Sequence, residues 1–229
     1  ESIMAQNKPQ AEKDPEVAIA SAIGRVEAFI MRNSRSLLTA LGVVIIVVGG
    51  FFGYKYLVAV PRMEKASAMM FAAEQQFAQD SFKLALNGDG NFAGFLQVIE
   101  KYGSTGTGNV ARHYAGICYL RLGQYQEALD YLTQYKGSTD DVPSALLAAQ
   151  NYGLRGDVYV QMGDYAEAAK SYEKAVATSS DPLTAPYYLK KAGEVYEKLG
   201  DNAKALAAYE AVEVDYPTSM EARDIQKYI

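Results

Sequence analysis

Three stretches of the chain align without a gap. Residues 116–132 read GICYLRLGQYQEALDYL, residues 156–172 read GDVYVQMGDYAEAAKSY, and residues 193–209 read GEVYEKLGDNAKALAAY. All three obey G-x2-Y-x3-G-x-Y/N-x2-A-x3-Y/L, at offsets of 40 and 37 residues. Recurrence at this period signals stacked repeats, each a unit that cannot bury its apolar face alone. The physics of the spacing is a helical hairpin. The first glycine (Gly116, Gly156, Gly193) lets two helices approach closely, with Tyr119, Tyr159 and Tyr196 one turn on. The second glycine (Gly123, Gly163, Gly200) ends the first helix in a left-handed residue. The residue two further on (Tyr125, Tyr165, Asn202) is expected to pack in the turn. The small Ala128, Ala168 and Ala205 admit the neighbouring helix. The last position (Leu132, Tyr172, Tyr209) is expected to fill the gap between hairpins.

This pattern resembles the tetratricopeptide repeat. The resemblance implies an all-α solenoid, with clear repeats at about 109–142, 149–182 and 186–218. Both offsets exceed the usual 34, so first helices or connections are longer by about six and three residues. The flanks read as imperfect units. Residues 63–105 form an irregular first unit: one long amphipathic pattern from Met63 to Leu86, a break at Asn87–Asn91, and a partner helix from Phe92 to Tyr102. Residues 219–228 are expected to form a capping helix, which a solenoid needs to cover its apolar end.

The segment before the repeats is of another kind. Ser36 to Tyr54 is 19 residues without a charge, around the aliphatic run 41–48. About 20 helical residues cross the roughly 30 Å hydrocarbon layer of a bilayer. A soluble core helix would show a polar face, and the run exceeds the usual signal-peptide core. The reading is one uncleaved transmembrane helix over 36–60, and Pro61 marks a helix stop or kink. Arg25, Arg32 and Arg35 on one side equal Lys55, Arg62 and Lys65 on the other, so charge bias leaves the orientation open. Gly42, Gly49, Gly50 and Gly53 lie inside the span, and Gly49 and Gly53 form a G-x-x-x-G pair that suits close helix packing.

Residues 1–35 form an N-terminal tail. Residues 1–13 are polar and expected to be disordered. Asp14-Pro15-Glu16 then reads as a helix start, and Ile19, Ile23, Val26 and Ile30 fall on one stripe. This amphipathic helix either lies on a membrane surface or partner, or extends the anchor.

Composition narrows the chemistry. The 229 residues hold 22 Lys+Arg against 27 Asp+Glu, a net charge of -5, which argues against nucleic-acid binding. Residues 63–229 carry 15 Lys+Arg and 22 Asp+Glu, so the acidic balance belongs to the repeat part. One cysteine and one histidine exclude disulfides, cysteine-based zinc sites and multi-histidine metal sites. No Walker loop, nucleophile elbow, H-E-x-x-H or C-x-x-C occurs, and no cofactor or enzymatic activity is expected. Asn87–Asn91 echoes part of a calcium loop but lacks the later Glu, so it reads as a turn. Cys118 reads as a packed thiol. All eight Phe lie within 29–95, and sixteen of the 18 Tyr lie within 102–228.

The first helices of successive repeats line a groove that can hold a peptide or a partner helix. By the family's pattern the groove-facing residues are His113, Ile117 and Arg121; Asp157, Val160 and Gln161; and Tyr187, Lys190, Glu194 and Lys198. They lack the Lys/Asn pattern with which other repeat proteins clamp a terminal carboxylate.

The layout as a whole resembles the YfgM-like ancillary subunits of the bacterial SecYEG translocon. The resemblance rests on Val26-Glu27-Ala28-Phe29, Arg32-Asn33-Ser34-Arg35, an anchor ending Gly53-Tyr54-Lys55-Tyr56, and Ala66-Ser67-Ala68 opening a helix that leads into repeats. It implies a single-pass protein of the bacterial inner membrane, N-terminus cytoplasmic and repeats periplasmic. It further implies association with SecYEG, with a PpiD-like periplasmic chaperone, and with nascent secreted or membrane proteins. The alternative is a repeat adaptor of another envelope complex, serving outer-membrane assembly or cell-wall synthesis.

Overall fold

The structure, a computed structural model, describes residues 15–229, with side chains from residue 19. The Asp14 cap and the polar stretch 1–13 lie outside the described residues. The chain divides at Val60/Pro61 into two compact units. Every regular element is helical, and among the described residues no strand occurs.

The first unit holds α1 (Pro15–Arg32) and α2 (Ser34–Tyr54), with Asn33 between them. The Asn33 N–H donates to Phe29 O and the Leu37 N–H to Asn33 O, so helical hydrogen bonding runs on across the break. Of the two sequence readings of α1, continuation into α2 agrees with this. Ile19, Ile23, Val26 and Ile30 are each half exposed or more, and no residue of α2 is buried. The helical stretch Ser34–Ala78 is long and apolar enough to cross a membrane.

Pro61 does not stop the helix. A π-helical turn, Lys55–Ala59, follows α2, and α3 (Val60–Ala78) starts at once. Here the Val60 N–H reaches back five residues to Lys55 O. Pro61 is the second residue of α3, and the wider turn before it makes room for a ring that clashes in a regular helix.

The second unit begins irregularly. The Met63–Leu86 pattern is two helices, not one: α3 ends at Ala78, Asp80 takes φ 56°, and α4 (Phe82–Asn87) follows. The next helix, α5 (Phe95–Tyr102), starts three residues later than its sequence pattern indicated. Gln97 sets that start: its Oε1 accepts from the Gly94 N–H at 2.7 Å and its Nε2 donates to Asn87 O at 2.8 Å. This is a capping contact that spans the loop. Here the phenylalanines pack: Phe77 lies edge-on to Tyr114 at 5.0 Å, and Phe95 stacks on Tyr114 at 5.3 Å.

Three hairpins follow: α6 (Gly106–Arg121) with α7 (Tyr125–Gln134), α8 (Val142–Met162) with α9 (Tyr165–Thr178), and α10 (Ala185–Leu199) with α11 (Asn202–Asp215). Most of the extra length in the 40-residue offset goes into α8, which has 21 residues against 16 in α6 and 15 in α10. Asp141, Asp164 and Asp201 cap α8, α9 and α11 by accepting backbone N–H bonds. The capping helix expected over 219–228 shrinks to α12 (Ala222–Ile225), whose Ile225 is fully buried against the third hairpin's core.

Candidate functional site

The repeat motif makes a fixed contact inside each hairpin. A Cβ placed on Gly116 would meet Leu132 Cγ at 2.5 Å; on Gly156, Tyr172 Cε1 at 2.5 Å; on Gly193, Tyr209 Cε1 at 2.3 Å. The partner is sixteen residues on in every case. The last motif position therefore packs primarily within its own hairpin, against the glycine. It also reaches the next one at Tyr172, which stacks on Tyr188 at 6.3 Å. Gly123, Gly163 and Gly200 have φ of 75°, 77° and 74°, the left-handed helix ends that the spacing predicts. Ala128, Ala168 and Ala205 are buried where the helices cross. Tyr119 stacks on Tyr131 at 5.2 Å, Tyr159 packs against the core from a half-buried site, and the Tyr196 hydroxyl donates to Glu173.

These hairpins enclose a cleft of about 700 Å³. Its apolar lining is Leu120, Leu154, Val160 and Val195, and its aromatic lining is Tyr125, Tyr165, Tyr172 and Tyr187. Charged and polar lining comes from Arg121, Asp157, Gln161, Lys191, Glu194 and Lys198. The first helix of each hairpin supplies most of these, because its glycine face is spent on its own second helix and the adjacent face remains open.

One carboxylate organises the polar lining. Asp157 Oδ1 accepts from the Tyr172 hydroxyl and from Lys191 Nζ, each at 2.6 Å. Burial alone would lower the Lys191 ammonium; the Asp157 carboxylate and the Tyr187 hydroxyl outweigh it and hold Lys191 above the ordinary lysine value. Burial, and then the same carboxylate, push the Tyr172 hydroxyl well above the ordinary tyrosine range. Lys191 Nζ also lies 4.7 Å from the centroid of the Tyr187 ring, a cation–π contact. At another point of the lining the Tyr125 hydroxyl donates to Gln161 Oε1 at 3.3 Å. The floor is thus internally satisfied, and binding there would draw on shape and apolar area.

Of the groove residues read from sequence, Arg121, Asp157, Val160, Gln161, Tyr187, Glu194 and Lys198 line this cleft. Ile117 and Lys190 do not: Ile117 is half buried, and Lys190 is drawn aside to the Tyr228 ring (5.1 Å) and Glu194 (4.0 Å). His113 is corrected outright. It is 1 % exposed, and its Nδ1 pairs with Asn151 Nδ2 at 3.1 Å. Asn151 of α8 covers this point of α6, as Tyr188 of α10 covers Gly153 at the equivalent place one repeat on. Burial drops the His113 imidazole to about 4. Asn151 then accepts from Arg155 Nε at 3.0 Å, and Arg155 Nη2 donates to Leu132 O at 2.8 Å, so a polar chain joins the first two hairpins.

Sequence reasoning missed Leu120, Leu154, Lys191 and Val195, which sit one residue out of phase with the positions carried over from the pattern. It placed Tyr125 and Tyr165 in the turns, whereas both face the cleft. Their signal was the repeated Gly-x-Tyr itself. Cys118 is fully buried, and burial pushes its thiol up to about 12. Asp89 is spent on a turn, accepting from the Asn91 and Phe92 N–H groups. In α2, a Cβ on Gly42, Gly49, Gly50 or Gly53 would meet nothing within 4 Å.

Comparison with known proteins agrees with the repeat geometry. Two tetratricopeptide-repeat family profiles match, over residues 109–181 and 154–220. Two crystal structures of MamA share the fold. One superposes with a TM-score of 0.54 at 17 % identity, covering 72 % of this chain and 88 % of that one. The other has a TM-score of 0.50 at 18 % identity, covering 63 % and 74 %. No curated protein matches in sequence. Residues 109–220 are therefore an array of tetratricopeptide repeats, an all-α solenoid of the kind that serves as a protein-interaction scaffold and is typically non-enzymatic.

Proposed function

We propose that the chain is a membrane-anchored scaffold whose repeat cleft holds a segment of another protein. The observation that carries this reading is the cleft of about 700 Å³, with four apolar and four tyrosine side chains on its walls. Open apolar and aromatic lining of this kind is what a peptide or partner helix buries on docking.

The finer reading follows the sequence layout. The helix Ser34–Tyr54 spans the bacterial inner membrane once, with the N-terminus cytoplasmic and the repeats periplasmic. Gly42, Gly49, Gly50 and Gly53 face open space, as a helix face waiting for a neighbour would. The neighbour in this reading is the SecYEG translocon. The cleft then retains a PpiD-like chaperone, or an emerging secreted or membrane protein, beside the exit.

Purification of the intact chain in mild detergent, with identification of what comes with it, tests the partner. Recovery of translocon subunits is the expected result. Their absence, under conditions that keep SecYEG together, moves the assignment to another envelope complex. Protease treatment of spheroplasts tests the orientation: the repeats should be cleaved while the cells are still intact.

A further inference from the structure

The cleft has a directional chemistry along one edge. Arg121, Gln161 and Lys198 each stand five residues after the first motif glycine of their repeat, one per hairpin. All three are exposed and all three line the cleft. Among the described residues neither Arg121 nor Lys198 makes an ion pair. The Arg121 guanidinium lies over the Phe82 ring, 6.0 Å from its centroid. Gln161 has its Oε1 occupied by the Tyr125 hydroxyl, which leaves its amide N–H groups free to donate. One edge of the cleft is thus a row of three donors, two of them cationic.

The acidic lining is partly paired. Asp157 is committed to Lys191 and Tyr172, and Glu194 lies 4.0 Å from Lys190. The surrounding region is acidic overall, with 22 Asp+Glu against 15 Lys+Arg over residues 63–229. That distant field is screened beyond about 8 Å at physiological salt, whereas groups in contact at the edge are not. Local complementarity therefore decides the sign of the ligand.

We infer that the cleft selects an acidic–apolar polypeptide segment: its apolar or aromatic side chains enter between the hairpins, and its Asp or Glu side chains meet the Arg121–Gln161–Lys198 row. This rests on the cleft being a peptide site, and it names the chemistry of the occupant.

The test is selection of a phage-displayed random 12-residue peptide library on the full chain in detergent micelles. Three proteins are used: the natural chain, Arg121→Glu/Lys198→Glu, and Val160→Arg, which blocks the cleft. Circular dichroism confirms that each is folded. Peptides rich in Asp and Glu beside Leu, Phe or Tyr are expected from the natural chain, and Lys- and Arg-rich peptides from the charge-reversed one. For a selected acidic peptide, Arg121→Gln/Lys198→Gln should weaken binding about tenfold at low salt and flatten its salt dependence. Neutral or basic peptides selected by the natural chain and lost on Val160→Arg would overturn the acidic preference and leave the peptide cleft standing. No peptide that Val160→Arg displaces would overturn the cleft itself, and this inference with it.

Discussion

Asp157 and Lys191 meet at 2.6 Å across the junction between the second and third hairpins, each side chain about three-quarters shielded from solvent. The pair ties α8 to α10 directly at the floor of the cleft. Partial exposure discounts its worth to on the order of 1 kcal/mol. A double-mutant cycle with Asp157→Asn and Lys191→Met, read by chemical denaturation, should return a coupling of that size. The sign of the pH dependence follows from the raised lysine value. The contribution is complete below the free lysine value of 10.5 and disappears as pH rises through the folded one. Independent, additive effects of the two substitutions would show that the contact is not made in solution.

The two glycine classes should respond differently to the same change. Gly193→Ala drives a methyl to 2.3 Å from a fully buried Tyr209 ring that has nowhere to go, at a cost of about 1–3 kcal/mol. Gly200→Ala meets no atom within 4 Å and is strained only by its φ of 74°, at about 1 kcal/mol. Denaturation midpoints of the two variants measure the difference. A milder effect at Gly193 than at Gly200 would contradict the close packing.

His113 makes stability depend on acidity. The unfolded chain takes up a proton on this residue below its ordinary value of 6.5, whereas the folded chain refuses it until about 4. Stability is therefore unaffected above 6.5, falls as pH drops from 6.5 to 4, and has lost roughly 3 kcal/mol from this residue at the lower end. His113→Gln, compared with the natural chain across that window, isolates the effect from the carboxylates that titrate lower. Parallel profiles for the two proteins would mean that the imidazole is hydrated.

Cys118 should be unreactive while the chain is folded. It has no exposed surface, and its thiol ionises near 12, so thiolate is scarce at neutral pH. Labelling by an aromatic disulfide reagent is expected to proceed only at the rate of local opening and to accelerate in denaturant. Stoichiometric labelling within seconds in buffer would place the thiol at the surface.

The hairpins were legible in sequence because glycine at a helix crossing and glycine at a helix end are unavoidable there, and both leave a spacing. What escaped was rotational phase. A shift of one residue turns a helical position by about 100°. Lys191 lines the cleft and Lys190 does not, though they are adjacent and chemically alike. His113 escaped for a different reason: the first helix of the next repeat packs on that position, Asn151 covering His113 as Tyr188 covers Gly153. The break near Asp80 was hidden as well, because Phe77 and Phe82 flank it and carry the amphipathic pattern across.

The glycine–ring pairs carry a consequence for how such a chain can change over time. Any side chain in place of Gly156 or Gly193 collides with a ring, and a small residue in place of Tyr172 or Tyr209 leaves a void costing about 3–5 kcal/mol. Neither partner can vary first without a penalty comparable to much of the stability of a small domain. Sixteen residues apart, the two members constrain each other. Exposed cleft positions between them, such as Gln161 and Lys198, carry no such constraint, and a different side chain there alters the lining and leaves the glycine–ring contact intact.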